Sequence, residues 1–72
     1  MRERTYRRFD PKQGYPAGEG LFYECTLCGD VIPSLPPDNT RCRCRNVAID
    51  VDYGRMSVDD IGACRLFSVD ER

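Results

Sequence analysis

Two pairs of cysteines constrain this chain more than any other feature. Cys25-Thr26-Leu27-Cys28 is followed, after thirteen intervening residues, by Cys42-Arg43-Cys44. Thiol pairs at that separation suit a tetrahedral zinc ion that takes two sulfurs from each end of a hairpin. The staple matters because a chain of 72 residues buries little core, and a structural zinc supplies about 10 kcal/mol or more of folding free energy. The two residues between Cys25 and Cys28 permit a tight turn, and Gly29 frees the backbone to fold back and donate N–H groups to thiolate. Cys42 and Cys44 are two apart, so an extended strand would point both sulfurs to one side. Asn46 follows where a left-handed residue is expected.

The chain contains no histidine, which removes the usual nitrogen ligand and the usual general base. Four thiolates from Cys25, Cys28, Cys42 and Cys44 close a zinc coordination sphere and leave no position for a water nucleophile. The expectation is one structural zinc per chain and no enzymatic activity. An iron–sulfur cluster shares the ligand type, a redox dithiol at Cys25 and Cys28 lacks its βαβ setting, and disulfides would leave one of five cysteines over. The fifth, Cys64, reads as a small buried apolar residue.

Hydrophobic residues make up 40% and charged residues 32% of the chain, a soluble globular balance rather than a disordered one. No apolar run reaches the roughly 18 residues of a membrane span. The start, Met1 to Arg8, does not lead into a signal-peptide pattern, and unpaired thiols suit a reducing compartment, so a cytoplasmic location is expected. The net charge of −1 is unevenly spread, with +3 on residues 1–12 and −3 on residues 47–72. Acids outnumber bases, which disfavours generic nucleic-acid binding, because phosphate neutralisation supplies most non-specific affinity.

Residues 1–20 read as a basic, aromatic N-terminal extension and loop, and residues 21–72 as a β domain. Glycines and prolines break residues 10–20, while Tyr6, Phe9 and Tyr15 are expected to fold back on the domain. Leu21–Cys25 is a strand, Val31–Asn39 a short return strand with a rigid proline turn. Val47–Tyr53 alternates apolar and acidic residues over a predicted strand ended by Gly54. Ser57–Gly62 reads as one helical turn capped by Ser57, and Cys64–Val69 as the last strand.

The pattern C-x-x-C-G-D-x-I-P-S, then C-x-C and an aspartate-punctuated strand, resembles the zinc-ribbon class over roughly Tyr23 to Arg55. More narrowly it is similar to short uncharacterised bacterial and phage proteins with a C-x-x-C-G…C-x-C core. The resemblance implies a small β-rich zinc ribbon of antiparallel strands, with one short helical turn near the C-terminus and an N-terminal extension. It implies no activity, since such ribbons are generic platforms. The expected function is a zinc-stabilised, non-enzymatic interaction module that binds a protein partner or itself. A nucleic-acid-binding ribbon is the rival, through Arg7, Arg8, Arg41, Arg43 and Arg45, with Arg2 and Arg4 beside them and Tyr6 or Phe9 stacking on bases. The third reading is an acidic inhibitor or immunity-type protein.

Overall fold

Alternation of apolar and polar residues builds two antiparallel sheets. The computed structural model describes residues 3–69. The charges assigned above to Arg2, Asp70, Glu71 and Arg72 lie outside the described residues. Seven strands follow in order: β1 Arg4–Arg7, β2 Leu21–Cys25, β3 Val31–Pro33, β4 Thr40–Arg41, β5 Val47–Asp50, β6 Arg55–Val58 and β7 Cys64–Val69. Single 3₁₀ turns occupy Pro11–Gln13 and Ile61–Ala63. One sheet runs β1-β7-β2-β3 and the other β4-β5-β6.

Period-two geometry sends Tyr23 and Cys25 of β2, Ile32 of β3, and Cys64 and Leu66 of β7 toward the interior. They meet Val47 and Ile49 of β5 and Cys42, so the core is the contact between the two sheets. Phe9 and Tyr15, from the chain after β1, pack edge-on against Tyr23 with ring centroids 5.8 and 6.4 Å away. The Tyr23 hydroxyl donates to the Pro16 carbonyl and pins this loop to the core. Burial pushes the phenol up to about 12.

The opposite face of the four-stranded sheet carries its own aromatic row. Tyr6, Phe67 and Phe22 stand side by side on β1, β7 and β2. Arg4 lies over the Phe67 ring at 4.6 Å, and Arg65 over Tyr6 at 3.9 Å. Their aliphatic stems and guanidinium planes cover the row, which explains how Phe67 is buried on the face opposite the core. Glu24 receives both the Arg4 guanidinium and the Tyr6 hydroxyl. The basic, aromatic N-terminal segment therefore enters the sheet as an edge strand.

Three sequence expectations need correction. The strand predicted over Val47–Tyr53 stops at Asp50, because the Asp50 carboxylate accepts the N–H groups of Asp52 and Tyr53 and closes a turn. Val51 is consequently exposed and Tyr53 is 83% exposed. Ser57 does not cap a helix: Arg55–Val58 is the strand β6, paired with β5 from Val47↔Val58 to Asp50↔Arg55. The helical turn falls three residues later and is capped by Asp60, whose side chain accepts from Gly62. Finally, Cys42–Cys44 is not extended but lies in a turn between β4 and β5.

Candidate metal centre

Each cysteine pair sits on a backbone turn that the neighbouring strands dictate. β2 delivers Cys25, and the chain reverses so that Gly29 N–H reaches the Cys25 carbonyl at 2.8 Å while Cys25 N–H donates to Asp30 at 2.9 Å. Gly29 holds φ +80, the left-handed value this reversal needs and glycine adopts without a Cβ penalty. Thr26 N–H donates to the Ala63 carbonyl at 2.8 Å, which anchors the turn to the start of β7.

The second pair repeats the design with different residues. Cys42 N–H donates to the Val47 carbonyl and Arg45 N–H to the Cys42 carbonyl, each at 2.9 Å. The left-handed residue is Arg45, at φ 67, and not Asn46 as the sequence suggested. Asn46 is buried because its amide is a clip. Its oxygen accepts Asp60 N–H at 2.7 Å and its nitrogen donates to the Asp60 carbonyl at 3.1 Å. The same nitrogen faces the Cys25 sulfur at 3.9 Å.

Asp30 ties the two turns together. Its carboxylate accepts the Arg43 backbone N–H at 2.6 Å and the Arg43 guanidinium at 3.0 Å. Those contacts, the backbone one first, hold the Asp30 carboxyl below the usual carboxylate range. Sequence reading missed the role of Asp30 and gave Asn46 a different one. The signal for each is a short polar side chain next to a ligand pair, a residue type that is ordinary in loops.

The result is convergence. The Sγ atoms of Cys25, Cys28, Cys42 and Cys44 all lie within 4.8 Å of one another. Cys44 is 3.5 Å from Cys25 and 3.6 Å from Cys42, sulfur to sulfur. A tetrahedral thiolate site with metal–sulfur bonds of about 2.3 Å places its sulfurs about 3.8 Å apart. The group could therefore hold a metal ion. Cys25 and Cys42 are buried, Cys28 half-buried and Cys44 exposed, so the site opens to solvent on one side.

Hydrogen bonding favours negative sulfur. Val47 N–H donates to the Cys42 sulfur at 3.3 Å. Backbone N–H groups of Asp30 and Cys44 draw the Cys28 thiol down to about 6. For Cys44 the largest single influence, the Asn46 N–H, also lowers its value, but burial and the three other sulfurs together push it up to about 12. Four thiols crowded without a cation cannot all ionise, and a bound cation reverses that balance.

Cys64 stands apart. It pairs across the sheet with Cys25 and is buried, and burial together with Cys25 and Cys42 pushes its thiol up to about 11. We expect Cys64→Ala to retain the metal, and Cys64→Ser to cost about 1–3 kcal/mol as a buried hydroxyl. Metal content and denaturant midpoints of the two variants check this.

The arginines named for phosphate binding do not gather around one depression. Arg7 and Arg8 line one with Arg65, and Arg41 lines another with Arg55. Arg43 is engaged by Asp30, and Arg7 donates to the Ser68 hydroxyl at 3.0 Å. Phe9 is committed to the aromatic core beside Tyr15 and Tyr23.

No protein family, curated protein or solved structure matches this chain. Its small β-rich fold and its cysteine cluster stand on their own geometry. Among the described residues no helix is long and apolar enough to cross a membrane.

Proposed function

We propose that the chain is a zinc-ribbon-like module in which one zinc ion, held by Cys25, Cys28, Cys42 and Cys44, fixes two β-sheets for binding a protein partner without catalysis. The observation that carries this reading is the convergence of four sulfurs from two separate turns, each supplied with N–H donors suited to thiolate. All-thiolate ligation from two knuckles is the donor set of structural zinc. Its saturated sphere leaves the metal no open position for substrate, which supports a structural role.

Protein binding is favoured over nucleic acid by the disposition of charge. Two of the candidate phosphate contacts, Arg7 and Arg43, are occupied within the chain by Ser68 and Asp30. An open groove of about 490 Å³ is lined instead by exposed Leu35 and Val51 and by half-buried Tyr15 and Met56.

Elemental analysis of the purified protein tests the metal. The expected result is about one zinc per chain, with unfolding by a strong chelator at neutral pH. Iron with visible absorption, or a chelated protein that keeps its folded spectrum, contradicts the reading.

A further inference from the structure

The longest strand edges left unpaired among the described residues are those of β1 and β6, four residues each. The β6 edge has an unusual sequence: Arg55-Met56-Ser57-Val58-Asp59. Read antiparallel against itself about Ser57, it sets Arg55 opposite Asp59 and Met56 opposite Val58, twice each. We propose that this edge joins a second copy of the chain in a two-fold symmetric dimer, so that two three-stranded sheets become one six-stranded sheet. This rests on the interaction-module reading above and names its partner.

The backbone geometry supports that register. Asp59 N–H donates to the Asn46 carbonyl at 3.0 Å, continuing the β5–β6 ladder beyond Val47↔Val58. In an antiparallel ladder, successive residues alternate between bonding toward one neighbour and toward the other. With Asp59 turned toward β5, Ser57 and Arg55 turn the same way, and the N–H and C=O groups of Met56 and Val58 face outward. Centring the two-fold axis on Ser57 places Met56 of one copy opposite Val58 of the other. Those are the residues whose outward groups can exchange hydrogen bonds. Shifting by one residue would oppose an outward group to an inward one.

Side chains agree with the backbone. Met56 and Val58 share the face of Ile49 and Val47 and are half-buried at the margin of the core. Their cross-strand meeting with the partner's Val58 and Met56 would extend that apolar surface. On the other face Arg55 already stands opposite Asp50 of β5. The partner's Asp59 would flank it on the free side, and opposite charges across strands favour pairing. An isologous two-fold contact closes on itself and so avoids the open-ended aggregation that an unprotected edge invites.

Sedimentation of the zinc-loaded full chain over a wide concentration range tests the proposal. The expected result is a monomer–dimer equilibrium reaching twice the 8.3 kDa chain mass. Asp59→Arg should weaken it roughly tenfold or more, since both charge pairs become like-charge contacts, and Arg55→Asp in the same chain should restore it. Ser57→Cys should form a covalent dimer on mild oxidation, because a non-hydrogen-bonded antiparallel pair brings Cα atoms to about 4.5 Å, within disulfide reach. Thr5→Cys, on the edge of the other sheet, should not. Zinc content reports separately on the fold of each variant. A zinc-loaded protein that stays monomeric throughout overturns the dimer but leaves the metal module standing. A dimer indifferent to Asp59→Arg, or cross-linked equally through Thr5→Cys, overturns it as well.

Discussion

Serine in place of Cys25, Cys28, Cys42 or Cys44, one at a time, is expected to abolish binding of the proposed zinc ion and the cooperative unfolding transition together. The magnitude follows from the scale of the terms. A small domain is stable by only about 5–15 kcal/mol, and a four-thiolate zinc site contributes an amount of the same order. The core cluster between the two sheets holds eight buried residues among those described, three of them cysteines, so little remains if the sulfurs do not gather around the proposed cation. The loss should be most complete for Cys25 and Cys42, which are buried and would leave a hydroxyl in an apolar setting. Metal content and thermal melts of the four variants decide the matter. A variant that melts cooperatively with its metal in place removes that residue from the ligand set.

Asn46→Ala is expected to destabilise the protein by about 1–3 kcal/mol, more than any substitution at an exposed arginine. The Asn46 amide satisfies both the N–H and the C=O of Asp60. Truncation leaves the Asp60 N–H in a part-buried position without its partner, at a cost of about 1–3 kcal/mol, while the Asp60 carbonyl keeps the Ala63 N–H. Asn46→Asp tests the chemistry more narrowly. It keeps an acceptor for the Asp60 N–H but loses the donor to the Asp60 carbonyl, and it sets a negative charge near the Cys25 sulfur. Both variants should lose metal to a competing chelator more readily than the parent protein. Equal denaturant midpoints for Asn46→Ala and the parent would show that the clip carries no stability.

Strands marked by a run of apolar and aromatic residues are legible in the chain. Leu21–Cys25 is a strand as its run of apolar and aromatic residues implied, and Cys64–Val69 likewise. The turn after Cys25 follows from its spacing and from Gly29. Val47–Tyr53 misleads because a large apolar residue recurs at every second position for seven residues, while a competing side-chain interaction at Asp50 ends the strand after four. Arg55–Val58 was hidden for a related reason. Ser57 and the acids after it mimic a helix start, and only pairing with β5 keeps them extended.

What the sequence determined by itself is the two cysteine pairs and the turn of the first, because ligand type and spacing are local properties of the chain. That the four sulfurs meet was decided by tertiary structure. β2 and β7 hold the first turn, β5 holds the second, and Asp30 with Arg43 joins them. The same holds for the roles of Asn46 and Arg45. A side chain that bridges residues fourteen positions apart, or a left-handed φ imposed on an arginine by the turn around it, leaves no periodicity to read. Long-range hydrogen bonds set those conformations, and they exist only once the two sheets have packed.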